Sequence, residues 1–281
     1  SYDRRYFISV YRRLSLPFIK TKSIEIYYES AGLGEIILFI SGTGGDLRKS
    51  PNAFDNDLKK HFKVISYDQR GLGQSEIPKG PYTMKDYADD AYNFIKKMNF
   101  TKLKVIGVSF GGMVAQHLAI NYPSIIEKLV LMCTSPGGKK YHSFPLHDLE
   151  KIDDDLEYTK KFVSISDTRI TETYIQKNSH QYNILIDQIK NYLRSSDSKL
   201  NNGRLLQLEA RKDHDIVDKL GKIKCPTFIA GGLFDGIVPK HNINILDKLI
   251  SNSLRKFYKG GHGFFLEDPQ AWRDIIQFLK N

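Results

Sequence analysis

Three side chains, far apart in the chain, are of the types that acyl transfer uses: Ser109, Asp235 and His262. Ser109 lies in Gly107-Val108-Ser109-Phe110-Gly111-Gly112. An apolar run, Leu103 to Val108, precedes it, and Met113 to Ile120 follows with apolar residues at helical spacing. A serine on a tight strand-to-helix turn holds its hydroxyl above the sheet. Such a turn needs glycine at 107 and 111, where a Cβ would crowd it. His262 stands in a loop, Gly260-Gly261-His262-Gly263, and Asp235 follows the buried run Thr227 to Gly232. A serine hydroxyl is weakly nucleophilic until a base takes its proton, and an imidazole that titrates near neutrality suits that task. A carboxylate behind the imidazole sets its tautomer and stabilises it once protonated. Asp235-Gly236 also has the composition of a simple turn.

Acyl transfer further requires donors for the negative oxygen of the tetrahedral intermediate. The backbone N–H of Phe110, next to the nucleophile, is one candidate. The N–H of Thr43, in the loop Ser41-Gly42-Thr43-Gly44-Gly45, is the other. A glycine-rich loop also cradles phosphate, but no Gly-Lys-Ser/Thr follows this one. Among the other histidines, His117 reads as packing or surface, and His61, His142, His147, His180, His214 and His241 as solvated or capping positions. No His/Cys pair has metal-ligand spacing, so no metal is expected, and acyl transfer by a serine implies no cofactor.

The elements that must position these groups follow from the pattern of apolar runs. Phe18 to Lys20 and Ile24 to Tyr28 flank Thr21-Lys22-Ser23 as a hairpin. Ile36 to Ile40, Val64 to Tyr67, Leu103 to Val108 and Leu129 to Cys133 read as buried strands. Helical patterns lie at Ala53 to His61 and Met84 to Met98. Alternation of this kind predicts a doubly wound, mostly parallel α/β sheet. The rhythm breaks after the sixth strand. Positions 134–223 carry helical patterns only, at Leu146 to Ile165, Thr171 to Lys177, Asn183 to Leu193 and Arg204 to Leu220. Strands resume at Thr227 to Gly232 and Leu254 to Tyr258, for eight in all, and a helix around Trp272 to Leu279 closes the chain. The organisation predicted is a core of residues 16–133 and 224–281, a helical cap at 134–223, and an N-terminal extension, 1–15, of no assigned role. Ser109, Asp235, His262 and the Thr43 loop all fall at carboxyl ends of strands, where open α/β sheets bind ligands. With Phe110, Phe264 and Phe265 near, a cap over that edge is expected to enclose an apolar pocket for a small or medium acyl substrate.

Bulk composition narrows the function classes. Over 281 residues, 41% hydrophobic and 12% aromatic content is enough for a sizeable core, and no apolar run approaches the length of a membrane span. The net charge of +10 is scattered among acidic clusters such as Asp153-Asp154-Asp155, which reads as a solvated surface rather than a nucleic-acid footprint. The segment 1–15 gathers Arg4, Arg5, Arg12 and Arg13 around aromatic and aliphatic residues. It lacks the apolar stretch and small-residue cleavage site of a secretory signal. The two cysteines, Cys133 and Cys225, fall at opposite ends of neighbouring strands, roughly 15 Å apart at about 3.3 Å per residue. That exceeds disulfide reach. Two buried, reduced thiols fit a cytoplasmic protein.

The chain resembles a cap-bearing α/β-hydrolase over nearly everything from Pro17 to Leu279 except the insertion. The order Ser109…Asp235…His262 is the superfamily's order. Asp68-Gln69-Arg70-Gly71-Leu72-Gly73-Gln74-Ser75 resembles its Asp-x-Arg-Gly-x-Gly-x-Ser signature, which is structural there, so Asp68 and Ser75 are not placed in catalysis. Within the superfamily the chain is most similar to 3-oxoadipate enol-lactonase-like and carboxylesterase-like members. The oxyanion loop departs from the usual His-Gly start in having Ser41-Gly42, and Phe110 replaces the tryptophan typical of prolyl aminopeptidases. Ser109 excludes the aspartate nucleophile of epoxide hydrolases and haloalkane dehalogenases. The resemblance implies a serine hydrolase of a small-molecule ester or lactone. The same triad also serves C–C, thioester or amide cleavage, and the fold also serves signal-binding receptors. Bond type and oligomeric state are not encoded in these motifs.

Overall fold

The computed structural model describes residues 17–281, so the N-terminal extension lies outside the described residues. Eight strands form one sheet: β1 (Phe18–Lys20), β2 (Glu25–Ala31), β3 (Ile36–Ile40), β4 (Lys63–Tyr67), β5 (Leu103–Val108), β6 (Ile126–Met132), β7 (Thr227–Gly232) and β8 (Ser253–Tyr258). Their order is β1-β2-β4-β3-β5-β6-β7-β8. The β1/β2 and β2/β4 pairs are antiparallel and every other pair is parallel. The helices, in chain order, are α1 (Met84–Lys97), α2 (Phe110–Asn121), α3 (Gly138–Tyr141), α4 (Asp155–Ser166), α5 (Glu172–Lys177), α6 (Ser179–Leu193), α7 (Ser198–Lys212), α8 (Lys240–Leu249), α9 (Phe264–Glu267) and α10 (Gln270–Lys280).

The central strands are apolar on both faces because each face is covered. Alternate residues go to different cores. Leu38, Ile40, Val105, Leu129, Leu131 and Ile229 join the layer with α1, α2 and α8. Ile37, Phe39, Ile106, Val130, Met132 and Phe228 join the layer with α10. No helix among the described residues is long and apolar enough to cross a membrane.

Between β6 and β7 the described chain is helical, from α3 through α7, with 3₁₀ turns at Leu146–Lys151 and Val217–Lys222. The two ends of this insert are joined: Ile216 N–H donates to Pro136 O and Gly138 N–H to His214 O. Four helices differ from their predicted spans, among them α6, which begins at Ser179 rather than Asn183. The apolar pattern at 53–61 forms only a 3₁₀ turn, Asp57–Lys60, capped by the Asn56 side chain. The pattern at 146–165 is split at Ile152 to Asp154, where the Asp154 side chain accepts from Glu157 N and starts α4 afresh. The pattern at 204–220 ends at Lys212, and α7 begins six residues earlier than predicted, capped by Asp197. At the start of the 3₁₀ turn, of α4 and of α7 a local side-chain cap overrides the hydrophobic period.

Both cysteines are free; Cys133 is buried, while Cys225 is half-exposed at the amino end of β7 rather than buried as predicted.

Candidate active site

The sheet order reverses between β3 and β5, the kind of switch point at which open α/β sheets bind ligands. Ile40 is in register with Gly107, which brings the 41–45 loop beside Ser109. The approach is close: a Cβ on Gly42 would lie 3.5 Å from Ser109 Cβ. Ser109 takes φ 54° and ψ −115°, a conformation that L-residues rarely adopt. The glycines around it have no room for side chains. A Cβ on Gly107 would be 2.5 Å from Gly111 O, and one on Gly111 would be 2.1 Å from Ile40 O. Phe110 opens α2, and the first amides of a helix have no partner within it.

On the other side of β6, the loops after β7 and β8 are zipped together. Leu233 N–H donates to Tyr258 O and Phe234 N–H to Gly260 O. His262 thereby comes between the other two predicted residues. Its Nε2 is 2.9 Å from Ser109 Oγ and its Nδ1 is 2.8 Å from Asp235 Oδ2. The Asp235 side chain is fully buried, and its Oδ1 accepts from Ile237 N–H and Val238 N–H, both at 2.8 Å. Two backbone N–H donors on Oδ1 fix the orientation of the carboxylate and leave Oδ2 to accept from the imidazole. His262 Nδ1 therefore carries the hydrogen, which leaves the Nε2 lone pair facing the serine hydroxyl.

The Asp68–Ser75 segment is structural in the way its motif implies. Asp68 accepts from Leu47 N–H and Gln74 N–H, and Gln69 Nε2 donates to Ser41 O, so the segment holds both ends of the 41–47 loop. Burial raises the Asp68 carboxyl to about 6, against the pull of those amides. Arg70 and Asp90 form a buried two-point pair beneath it.

The insert touches each loop that carries a candidate residue. Ser166 O accepts from His262 N–H at 2.7 Å, Thr168 N–H donates to Phe234 O, and Phe144 N–H donates to Ile237 O. Gln207 Oε1 accepts from Gly44 N–H at 2.8 Å. These contacts lie at the carboxyl edge of the sheet. The Gln207 side chain and the Ser166 carbonyl carried no signal in the sequence, because nothing local marks an insert residue that bonds to a loop far away along the chain.

Two expectations are corrected. The rings of Phe110, Phe264 and Phe265 do not line a pocket with the insert. Phe110 packs edge-on against Tyr87, Phe264 stacks on Tyr258, and Phe265 meets Trp272, all in the two core layers. The strand-end glycines turn the backbone so that these rings go down into apolar surroundings. His214 is not a solvated or capping residue: it is buried and bonds to both His117 and Ser135 O, at 3.0 and 2.8 Å. Since the carbonyl needs a donor, His214 Nε2 carries the hydrogen and its Nδ1 accepts from His117 Nε2–H. Burial, the main cause for each, lowers His117 to about 4 and His214 to about 3.

The family model for the alpha/beta hydrolase fold matches residues 35–269. An AB hydrolase superfamily protein of Bacillus subtilis (strain 168) is 27% identical over 276 residues, covering 94% of this chain and 98% of its own length. A poly(3-hydroxyalkanoate) depolymerase of Ectopseudomonas oleovorans is 28% identical, covering 87% of this chain and 84% of its own. In structure, an enol-lactonase of Burkholderia xenovorans LB400 superposes with a TM-score of 0.75 at 21% identity, covering 94% of this chain and all of that one. The chain belongs to the α/β-hydrolase family.

Proposed function

We propose that the protein is a serine hydrolase cleaving a carboxylic ester or lactone through an acyl-enzyme. The observation that carries this reading is the continuous hydrogen-bonded chain Ser109–His262–Asp235, with the base 2.9 Å from the hydroxyl. Ser109 Oγ attacks the acyl carbon as its proton passes to His262 Nε2. Asp235 steadies the imidazolium that results. The Thr43 and Phe110 amides receive the negative charge on the former carbonyl oxygen. His262 returns the proton to the departing alkoxide, and the acyl group stays on Ser109. Water, deprotonated by the same imidazole, then releases the acid. None of these steps calls on a cofactor.

The insert acts in this reading as a cap over the carboxyl edge, and the bonds from Ser166, Thr168 and Gln207 to the site loops support that role. The polyester depolymerase among the relatives supports an ester as the bond cleaved.

The test uses a short p-nitrophenyl ester and a fluorophosphonate probe on the wild type and on Ser109→Ala. Sustained turnover with labelling that the variant abolishes is the expected result. Labelling that persists in Ser109→Ala would move the nucleophile elsewhere. A single stalled turnover would favour a ligand-capturing receptor over an enzyme.

A further inference from the structure

Helix α7 crosses the carboxyl edge of the sheet with Gly203, Arg204, Gln207 and Arg211 buried along one side. Spacings of three and four residues put these positions on one helical face. That face rests on backbone. A Cβ on Gly203 would lie 1.9 Å from Gly71 O, and the Arg204 methylenes cover Gly44, where a Cβ would meet them at 3.4 Å. The Arg204 guanidinium is held in turn by both oxygens of Glu150, at 2.9 and 2.8 Å. From this anchored face Gln207 extends its side chain to the Gly44 N–H, 163 residues away in sequence.

The bond falls at a sensitive place. The Thr43 N–H and the Gly42 carbonyl belong to one peptide plane, and Gly45 N–H donates to Gly42 O at 3.2 Å. The next peptide plane contains the Gly44 N–H, which Gln207 holds. Gly44 itself has φ +71°, which glycine's freedom permits, and the Gln207 acceptor is the one bond from the insert among those that hold the loop in its turn. Gln207 is fully buried, and its Nε2 has no partner among the described residues. Burying an amide with half its capacity unmet is unfavourable, and an apolar side chain would avoid it. What the position retains is the acceptor.

We infer that Gln207 is a positioning residue for the oxyanion loop, tying the direction of the Thr43 N–H to the seating of the helical insert through the Gly44 amide. The inference rests on the serine-hydrolase reading above.

The experiment compares Gln207→Met, which keeps the volume without the acceptor, with Gln207→Asn, which keeps the amide but is too short to reach. Both are measured on a short p-nitrophenyl ester and on an alkyl boronic acid, whose adduct with Ser109 is tetrahedral and anionic. Loss of a whole oxyanion donor lowers kcat by about 10²–10³, so a loosened one is expected to lower it about 10–100-fold. KM should change by less than about threefold, the signature of an interaction made in the transition state. Boronate affinity should fall in proportion to kcat. Wild-type kcat in either variant, a loss in KM alone, or activity lost only because both variants unfold would overturn the inference. Ser109→Ala, run alongside, separates the two readings. If it still turns over ester, the serine-hydrolase reading fails; if it is silent while the Gln207 variants run at wild-type kcat, only the positioning role fails.

Discussion

Asp235→Asn is the most informative single change, because the structure dictates which way the new amide must face. Asp235 Oδ1 accepts from two backbone N–H groups and Oδ2 from His262 Nδ1, each at 2.8 Å. An Asn NH2 placed toward Ile237 and Val238 would set donor against donor at two contacts. The amide oxygen must therefore stay there, and the NH2 must face His262. His262 Nδ1 then has to accept, so the ring hydrogen moves to Nε2 and points at Ser109 Oγ. The base is blocked by its own proton although every atom stays in place. The corresponding change in a Ser-His-Asp triad lowers kcat by about 10⁴, equivalent to about 5.4 kcal/mol of transition-state free energy. Stability should change far less. Three charge-assisted bonds become neutral ones, a loss of about 1–3 kcal/mol, or roughly 2–5 °C in Tm for a chain of this size. Steady-state hydrolysis of a p-nitrophenyl ester, with a thermal melt, measures both. A kcat within tenfold of wild type would refute the tautomer argument, and so would a loss fully explained by unfolding at the assay temperature.

Two further outcomes follow from strain and burial. Ser109 stands at φ 54°, where a Cβ is unfavourable, so Ser109→Gly should be more stable than Ser109→Ala by on the order of 1 kcal/mol, both being inactive; equal or inverted melting temperatures would show that the turn stores no strain. His117 and His214 are held neutral, at about 4 and about 3, against an ordinary 6.5. Their contribution is present in full above pH 6.5 and is lost as pH falls toward 4 and then 3, because the unfolded chain binds protons that the folded one refuses. Urea midpoints for wild type and His117→Leu between pH 7 and pH 4 should diverge, with the shallower slope in the variant; parallel slopes would refute the assignment.

The strands and the elbow were legible because their signals are local. Alternating or continuous apolar runs determine which residues face a covered sheet, and Gly107 and Gly111 reveal a turn with no space for side chains. The serine, aspartate and histidine were legible as types at strand ends. The helix ends were not, since Asp154 and Asp197 caps compete with the apolar period and only packing decides which prevails. Nor was the direction of the aromatic rings: Phe264 next to a glycine loop reads equally as pocket or core, and its stacking on Tyr258 settles it.

Residue order and type thus determined the fold class, the elbow and the three polar groups at its edge, because each depends on neighbours within a few positions. Only the tertiary structure decided that they meet. Ser109, Asp235 and His262 come within hydrogen-bond distance because β5, β6, β7 and β8 lie side by side in register, a consequence of long-range pairing. The same holds for Gln207 on Gly44 and His214 on His117. Each is a contact between segments that no local pattern couples, and burial makes each unfavourable unless its partner is present.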